Sequence, residues 1–370
     1  MERINILKIY KNNMENKKVL LGMSGGVDSS VSALLLKEQG YEVIGATMKL
    51  WESKECDEEG SCCSIDSTND AKKVCSKIDI PHYTLNCQKD FKTYVIEDFI
   101  DCYKSCKTPN PCIECNKYLK FGAFYKKSIE LECNYIATGH YAKVEYSKEY
   151  KRYVLKKSNS IKKDQSYVLW NIPKEILPHI IFPLGDFENK EQIRKIAKNY
   201  NLSVANKPDS EDICFIPDGN YKKFLEENSN IKPQKGNIVN KNGEILGKHL
   251  GLYNYTIGQR KGLGISYSEP LFVIGFNVPK NEVIVGTGEE IYRTEMYVNN
   301  INLLLIDDLK DKMEVSVKVR YSSKEEKATI EKIQDDLIKV TFKNPVARIT
   351  SGQSAVFYVG DIVLGGGKII

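Results

Sequence analysis

Three cysteines in two short polar stretches are the first candidates for chemistry. Cys112 and Cys115 form a C-x-x-C pair in SCKTPNPCIECNK, and Cys214 lies much further along the chain, in KPDSEDICFIPDGNY. Such thiols can act as nucleophiles, redox couples, disulfides or metal ligands. Cys102 and Cys106 are near enough in sequence to complete a four-thiol zinc site. From the residues alone, these alternatives stay open.

The composition predicts a protein of a reducing compartment. The chain has eleven cysteines, an odd number, and its N-terminal residues lack the pattern of a secretory signal. We therefore expect a cytoplasmic protein whose thiols bind metals, do redox chemistry or pack in the core. No apolar run approaches the roughly 18 residues of a membrane span, so we expect no membrane partner. The formal charge of +5 is a weak indication of a polyanionic partner.

The stretch LGMSGGVDSS has the features of a phosphate-binding loop. Gly25 and Gly26 allow a tight turn with inward amides, and serines add hydroxyl donors. A helix beginning after the turn would add the positive end of its dipole. The stretch is neither a Walker A loop nor G-x-G-x-x-G. The pattern S-G-G-x-D-S resembles the pyrophosphate loop of N-type ATP pyrophosphatases, which transfer AMP to an oxygen. The alternative is a glycine turn capped by Asp28 or Ser24.

The elements around these residues alternate between strand and helix in the first half of the chain. KKVLLGM, YEVIGATMKL and HYTLNC have the pattern of strands, separated by helical runs such as SSVSALLLKEQG. This order predicts an α/β fold with a doubly wound parallel sheet. Beyond about Ser210, Gly- and Lys-rich segments lead into alternating runs such as EVSVKVRYSS, which predict an antiparallel β-barrel. We predict an N-terminal extension (1–16), a catalytic domain (17–212), a small central domain (213–285) and a C-terminal β-barrel (286–370).

Six blocks in a fixed order carry a specific resemblance. They are GMSGGVDSS, TPNPCIECNKYLKFG, ATGHYA, KDQSYVLW, DSEDICFI and YTIGQRKGLGI. From about Lys17 onward the chain resembles the tRNA-specific 2-thiouridylase (MnmA) family. The resemblance implies a PP-loop, HUP-like ATP-pyrophosphatase domain. It also implies ATP-dependent 2-thiolation of the wobble uridine, position 34, in tRNAs for Lys, Glu and Gln. In this reaction the uracil O2 is adenylated and sulfur then displaces AMP.

The resemblance implies roles for individual residues. Cys214 would carry a persulfide, and Cys115 would be the partner nucleophile that leaves a transient disulfide with it. A second scheme has Cys112, Cys115 and Cys214 as ligands of a [4Fe–4S] cluster; much of the family has Asp where this chain has Cys112. The implied ATP contacts are Gly22, Met23, Ser24, Gly25, Gly26, Val27, Asp28, Ser29, Met48 and Gly139. The target base would meet Asn110, Pro111 and Cys112, and tRNA would meet His140, Lys163, Asp164, Gln165, Arg320, Tyr321 and Gln353.

The implied cofactors are ATP with Mg²⁺ and, in the second scheme, the cluster. The implied partners are the tRNA anticodon stem-loop and a sulfur donor such as a cysteine desulfurase or a sulfur-relay protein. One rival function is a pyrophosphatase that adenylates and amidates a small molecule, which leaves Cys115 and Cys214 unexplained. Another is a non-catalytic RNA-binding protein with structural zinc, which leaves the phosphate loop unexplained. For His140 and Arg320 the simpler alternatives are a satisfied structural group and a surface cation.

Overall fold

A computed structural model describes residues 17–51, 65–208 and 213–370. The predicted extension (1–16) and the adjacent pair Cys62 and Cys63 lie outside these ranges. The chain divides into two compact units. The first comprises Met1–Lys92 with Cys115–Pro217, and the second comprises Thr93–Glu114 with Asp218–Ile370. Within the described residues, no helix is long and apolar enough to cross a membrane.

The helices and strands are numbered in chain order. The helices are α1 (Val27–Glu38), α2 (Ile65–Lys77), α3 (Gln88–Phe91), α4 (Glu97–Lys104), α5 (Pro111–Glu114), α6 (Phe124–Glu130), α7 (Lys190–Asn199) and α8 (Tyr221–Asn228). The strands are β1 (Lys18–Gly22), β2 (Glu42–Lys49), β3 (His82–Asn86), β4 (Tyr135–Ala137), β5 (Ala142–Ser147), β6 (Arg152–Lys157), β7 (Ile180–Ile181), β8 (Gly236–Val239), β9 (Ile245–His249), β10 (Phe272–Asn277), β11 (Glu282–Gly286), β12 (Tyr292–Leu303), β13 (Met313–Lys318), β14 (Glu326–Gln334), β15 (Leu337–Ala347), β16 (Ser354–Val359) and β17 (Ile362–Ile369).

Other helical stretches complete the elements of the described residues. Two are π-helical, Lys92–Ile96 and Cys115–Ala123. Four are 3₁₀ turns, at Ser166–Leu169, Lys174–His179, Leu252–Asn254 and Glu289–Ile291.

The first unit is built on a five-stranded parallel sheet in the order β3-β2-β1-β4-β7. The middle strand β1 is a short apolar run, and Val19, Leu20 and Leu21 are fully buried. A strand buried in this way is typical of a parallel sheet covered by helices. The core includes residues of α1, α2 and α7 together with β1. The predicted parallel sheet is therefore confirmed.

The order of the strands places a switch point beside β1. The chain passes from β1 to β2 and β3 on one side, and β4 then joins β1 on the other side. Parallel strands end at one edge of the sheet, and ligands of such sheets bind where the strand order reverses. The segments after β1 and β4 therefore meet at the position that the fold favours for a ligand.

The second unit contains the two predicted β-structures. The strands β10-β11-β8-β9 form a four-stranded sheet around Ile238, Val273, Val283 and Val285. The strands β12-β15-β14-β13-β16-β17 form a six-stranded antiparallel barrel, which closes because β17 also pairs with β12. At this closure a Cβ on Gly365 would lie 2.2 Å from the carbonyl oxygen of Asn302, so the strands approach too closely for a side chain. The predicted small domain and barrel are confirmed.

The segment Thr93–Glu114 belongs to the second unit although the phosphate loop and Cys115 belong to the first. In α4, Phe99 lies edge-to-face against Phe224 of α8, with centroids 6.0 Å apart. Tyr103 stacks on Tyr221 at 4.8 Å. The predicted domain 17–212 includes this segment, which packs on residues beyond it.

Candidate active site

The phosphate loop joins β1 to α1 at the carboxyl edge of the sheet. Gly26 is the N-cap of α1 and brings no side chain to its first turn. The amide and the hydroxyl of Ser24 each lie 3.2 Å from Ser29 Oγ, and Ser29 Oγ donates to the carbonyl of Gly26 at 3.2 Å. These bonds order the loop beside a helix N-terminus that no N-cap side chain covers, and such an N-terminus attracts anions.

Gly25 lets α2 approach this loop closely. Its φ is +70°, and a Cβ would lie 2.0 Å from the carbonyl oxygen of Ser67 in α2. Both the backbone conformation and the space exclude any side chain. The predicted glycine turn therefore also allows the phosphate loop to contact α2 directly.

Two further predicted nucleotide contacts lie at the same edge. Gly139 follows β4, and a Cβ there would lie 3.0 Å from Ser29 N, so its backbone touches the start of α1. Met48 lies near the end of β2 and is partly exposed. The fold therefore brings both residues to the edge where β1 ends, and their contact with ATP stays a prediction.

Two lysines that the sequence analysis did not select hold the loop. Lys190 Nζ lies 2.5 Å from Asp28 Oδ2, and Tyr141 donates its hydroxyl to Asp28 Oδ1 at 2.8 Å. Lys207 Nζ donates to the carbonyl of Gly25 at 3.2 Å and pairs with Asp70 at 2.8 Å. Lys190 is the first residue of α7, a position where acidic side chains are usual. This unusual lysine is the feature of the sequence that could have identified it as a functional residue. Two cations therefore lie at a loop suited to phosphate.

Cys115 is buried at the start of the π-helical stretch Cys115–Ala123. The neighbouring Asn116 is also buried; its Nδ2 donates to the carbonyl of Val168 at 2.9 Å. Its Oδ1 accepts no hydrogen bond within the described residues. π-helical turns are rare and occur frequently at functional sites. The predicted nucleophile is thus held by an irregular helix within the core.

Cys214 lies in a turn that two apolar neighbours anchor. Phe215 and Ile216 are buried, and the Phe215 ring packs edge-to-face on Phe91 with centroids 5.6 Å apart. Cys214 itself is partly exposed. Cys115 and Cys214 belong to the first unit, whereas the exposed Cys112 belongs to the second.

Residues 17–51, 65–208 and 213–370 contain no group of three or more His, Cys, Asp or Glu side chains placed to hold a metal ion. The four-thiol zinc alternative therefore gains no support. The [4Fe–4S] ligands Cys112, Cys115 and Cys214 stay a prediction from the resemblance.

His140, a predicted tRNA contact, is buried. Its Nδ1 lies 2.7 Å from Thr138 Oγ1, and its ring packs beside Phe121 and Phe182. Burial lowers its pKa well below the ordinary value, and the charge of Lys120 lowers the pKa further. The imidazole is therefore neutral, which suits the structural alternative and restricts any tRNA contact to hydrogen bonding.

The predicted tRNA loop Lys163–Gln165 is organised by internal hydrogen bonds. Asp164 accepts from the amide of Ser158 at 2.9 Å and from the hydroxyl of Ser166 at 2.7 Å. The side chain of Gln165 accepts from the amide of Tyr141 at 3.0 Å, and its own amide donates to the Tyr141 carbonyl at 2.8 Å. These bonds fix the loop beside the segment that follows β4.

The C-terminal predicted contacts have different exposures. Arg320 donates to the carbonyls of Arg348 (3.1 Å) and Ile257 (2.9 Å) and to Thr350 Oγ1. Tyr321 is exposed. Gln353 Nε2 donates at 3.0 Å to the carbonyls of two loop residues, Thr108 and Pro109. Next along that loop, Asn110 is partly buried, Pro111 is buried and Cys112 is exposed.

Comparison with known proteins assigns the family. Family models described as "tRNA methyl transferase HUP domain", "tRNA methyl transferase PRC-barrel domain" and "Aminomethyltransferase beta-barrel domain" match residues 17–218, 222–287 and 293–369. The tRNA-specific 2-thiouridylase MnmA of Clostridioides difficile (strain 630) is 50% identical over 355 residues, covering 96% of this chain and 98% of that protein. The chain belongs to the tRNA-specific 2-thiouridylase MnmA family.

Other members of the MnmA family match as fully. The tRNA-specific 2-thiouridylase MnmA of Clostridium botulinum (strain Alaska E43 / Type E3) is 51% identical over 362 residues, with 96% and 99% of the two chains covered. The tRNA-specific 2-thiouridylase MnmA 2 of Caldanaerobacter subterraneus subsp. tengcongensis is 49% identical over 358 residues, with 96% and 98% covered. The resemblance of the six sequence blocks is therefore confirmed.

Proposed function

We propose that this protein is a tRNA-uridine 2-sulfurtransferase that uses ATP to thiolate C2 of the wobble uridine in tRNAs for Lys, Glu and Gln. The observation that carries the proposal is the phosphate loop at the switch point of the parallel sheet. It lies in a chain that is 50% identical to a 2-thiouridylase over 96% of its length. The charge of +5 suits the anticodon stem-loop as the ligand.

The first step is adenylation. The uracil O2 attacks the α-phosphorus of ATP, the bond to the β-phosphate oxygen breaks, and pyrophosphate leaves. The loop Gly22–Ser29, with Met48 and Gly139, would bind the nucleotide, because amides and a helix N-terminus stabilise phosphate charge. Mg²⁺ would accompany the triphosphate, and Asp28, the carboxylate of this loop, is held by Lys190 and Tyr141.

The second step transfers sulfur. A persulfide on Cys214 supplies the terminal sulfur, which attacks C2 of the activated base, and AMP leaves with O2. The Cys115 thiolate attacks the Cys214 sulfur and breaks the S–S bond, so sulfur remains on C2 and a Cys115–Cys214 disulfide forms. A reductant and a sulfur donor, such as a cysteine desulfurase or a relay protein, then restore the persulfide.

The contacts with the target base and the tRNA, the domain boundaries and the location are part of the same proposal. Asn110, Pro111 and Cys112 would surround the base after it leaves the stack. The tRNA would contact His140, Lys163–Gln165, Arg320, Tyr321 and Gln353. We propose domains at 17–212, 213–285 and 286–370, and a cytoplasmic location. The matched ranges 17–218, 222–287 and 293–369 support this division.

Two assays test the proposal on the intact protein: tRNA-dependent release of pyrophosphate and formation of 2-thiouridine. We expect Cys115→Ser and Cys214→Ser each to abolish thiolation while pyrophosphate release continues. Cys133→Ser is the matched control, since Cys133 is a buried thiol outside these motifs. Asp28→Ala should remove ATP use.

Near wild-type thiolation by either cysteine variant would refute the assigned roles. Pyrophosphate release driven by a small amidated metabolite instead of tRNA would favour the rival pyrophosphatase.

A further inference from the structure

The loop that carries Asn110–Cys112 is held by the second unit on both sides. Before it, α4 packs through Phe99 and Tyr103 on α8. After it, α5 ends at the buried Glu114. The residues assigned to the target base are therefore a part of the C-terminal unit, and its contacts determine the shape of their loop.

The first set of contacts that holds the loop precedes Asn110. Gln353 donates both of its amide hydrogen bonds to the loop backbone, at 3.0 Å to the carbonyls of Thr108 and Pro109. The amide of Thr108 donates to the carbonyl of Ser351 at 2.9 Å. A Cβ on Gly352 would lie 2.9 Å from Thr108 N, so the loop rests directly on the 351–353 turn. These contacts fix the backbone just before the predicted base contacts.

The second set of contacts that holds the loop involves α5, which follows Cys112, and α4. Lys368 in β17 lies 3.0 Å from Glu114 Oε1 and 3.2 Å from Asp98 Oδ1. The Glu114 side chain is only 7% exposed. Although burial lowers the pKa of Lys368, the carboxylates of Glu114 and Asp98 raise it above its ordinary value. A buried carboxylate needs such a partner, because removing the cation leaves an uncompensated charge. One lysine thus ties both α4 and α5 to the barrel.

We propose that Gln353 and Lys368 are positioning residues: they hold the Asn110–Cys112 loop from the barrel and so set the geometry of the target-base pocket. This inference rests on the proposed function. It adds a loop-holding role to the tRNA contact predicted for Gln353 by resemblance, because both amide hydrogens bind the loop. Neither residue touches the reacting atoms, so their loss changes the rate through the loop.

The test uses the full-length chain and two pairs of variants. Gln353→Glu places a carboxylate against two carbonyl oxygens, and Gln334→Glu makes the same change at an exposed position of the barrel. Lys368→Met removes the buried cation, and Lys339→Met removes a barrel cation that pairs with Glu295 at 2.7 Å.

We expect Gln353→Glu and Lys368→Met to lower kcat for tRNA-dependent pyrophosphate release by about 10- to 100-fold, since small misplacements of a reacting group cost rates of this size. The dissociation constant for ATP should stay unchanged in both variants, and that for tRNA should stay unchanged in Lys368→Met. Trypsin should cut after the exposed Lys107 faster than in the wild-type protein, and both controls should behave as wild type.

The double variant Lys368→Met with Glu114→Gln is the control for misfolding, because it leaves no unpaired buried charge on α5. We expect it to keep the wild-type unfolding midpoint and the low kcat. An unchanged kcat in Gln353→Glu, with or without weaker tRNA binding, would overturn the inference and leave Gln353 as a tRNA contact alone. Wild-type cleavage at Lys107 would also overturn it. Wild-type protein without any tRNA-dependent pyrophosphate release would instead refute the proposed function.

Discussion

At the scale of single residues, the ion pair between Lys190 and Asp28 is the main feature of the phosphate loop. The carboxylate lies on a loop suited to phosphate, and both its oxygens have a donor, Lys190 at 2.5 Å and Tyr141 at 2.8 Å. The Lys190 side chain is 12% exposed, which strengthens the pair relative to a surface ion pair. The cation therefore reduces the repulsion that Asp28 would exert on a triphosphate.

We predict that Lys190→Met weakens ATP binding by about 10-fold or more, which is the usual loss when a charged hydrogen bond is removed. The dissociation constant for ATP, measured by calorimetry, checks this. Lys198→Met is the control, since it removes an exposed lysine from the same helix. Equal ATP affinities for the two variants would contradict the role of Lys190.

His140 predicts how stability depends on pH. Burial holds its folded pKa below the ordinary value of about 6.5. Below that pH the unfolded chain binds a proton that the folded chain does not, so the free energy of unfolding decreases as pH falls. His82 and His249, whose pKa values burial also lowers, act in the same direction.

We therefore expect His140→Gln to reduce the loss of stability between pH 7 and pH 5, measured by denaturant unfolding. The comparison is the change with pH within each protein, since the substitution also alters packing. If the variant lost as much stability as the wild type over this range, the imidazole would not be the titrating group.

At the scale of elements, the contact between the phosphate loop and α2 depends on one glycine. We predict that Gly25→Ala abolishes ATP binding, because a Cβ would lie 2.0 Å from the Ser67 carbonyl. Gly360→Ala is the matched control: its φ is +62°, close to the +70° of Gly25, and no atom lies within 4 Å of the added Cβ. The control should cost about 1–3 kcal/mol of backbone strain and keep ATP binding.

Equilibrium binding of ATP and thermal unfolding distinguish the two effects. Loss of ATP binding in both variants would mean that backbone strain explains the result, whereas retention in both would show that α2 can move away from the loop.

At the scale of the whole molecule, one segment of the α/β part of the sequence belongs to the C-terminal compact unit. The segment Thr93–Glu114 lies in the middle of the α/β part of the sequence, yet it packs on α8 and the barrel. A fragment ending at residue 218 keeps Phe99 and Tyr103 and loses their partners Phe224 and Tyr221.

We predict that the fragment 17–218 binds a hydrophobic dye and unfolds at lower denaturant than the intact chain. Each exposed aromatic side chain forfeits about 1.5–3 kcal/mol of burial. Phe99→Ser with Tyr103→Ser in the same fragment should reduce the dye binding. A fragment that binds no dye would show that the segment folds without its C-terminal partners.

The sequence alone was sufficient for the fold class, the family and the kind of chemistry. Alternation of apolar runs predicts the parallel sheet and the barrel, since burial follows local periodicity. The loop GMSGGVDSS and each cysteine motif are short, continuous stretches of sequence, so their residue types and spacing can be recognised without a structure. The fold and the family were confirmed, while the individual site residues and the domain boundaries stay predictions.

Tertiary structure decided which distant residues meet. Lys190 follows Asp28 by 162 positions and Lys368 follows Asp98 by 270, so no local pattern links either pair. The same holds for Gln353 with Thr108, and for the packing of Phe99 on α8. Such pairings depend on how strands and helices are brought together in space, because charge and hydrogen bonding are satisfied by proximity and not by order along the chain. The support around the phosphate loop and the loop of Asn110–Cys112 is therefore a property of the folded chain.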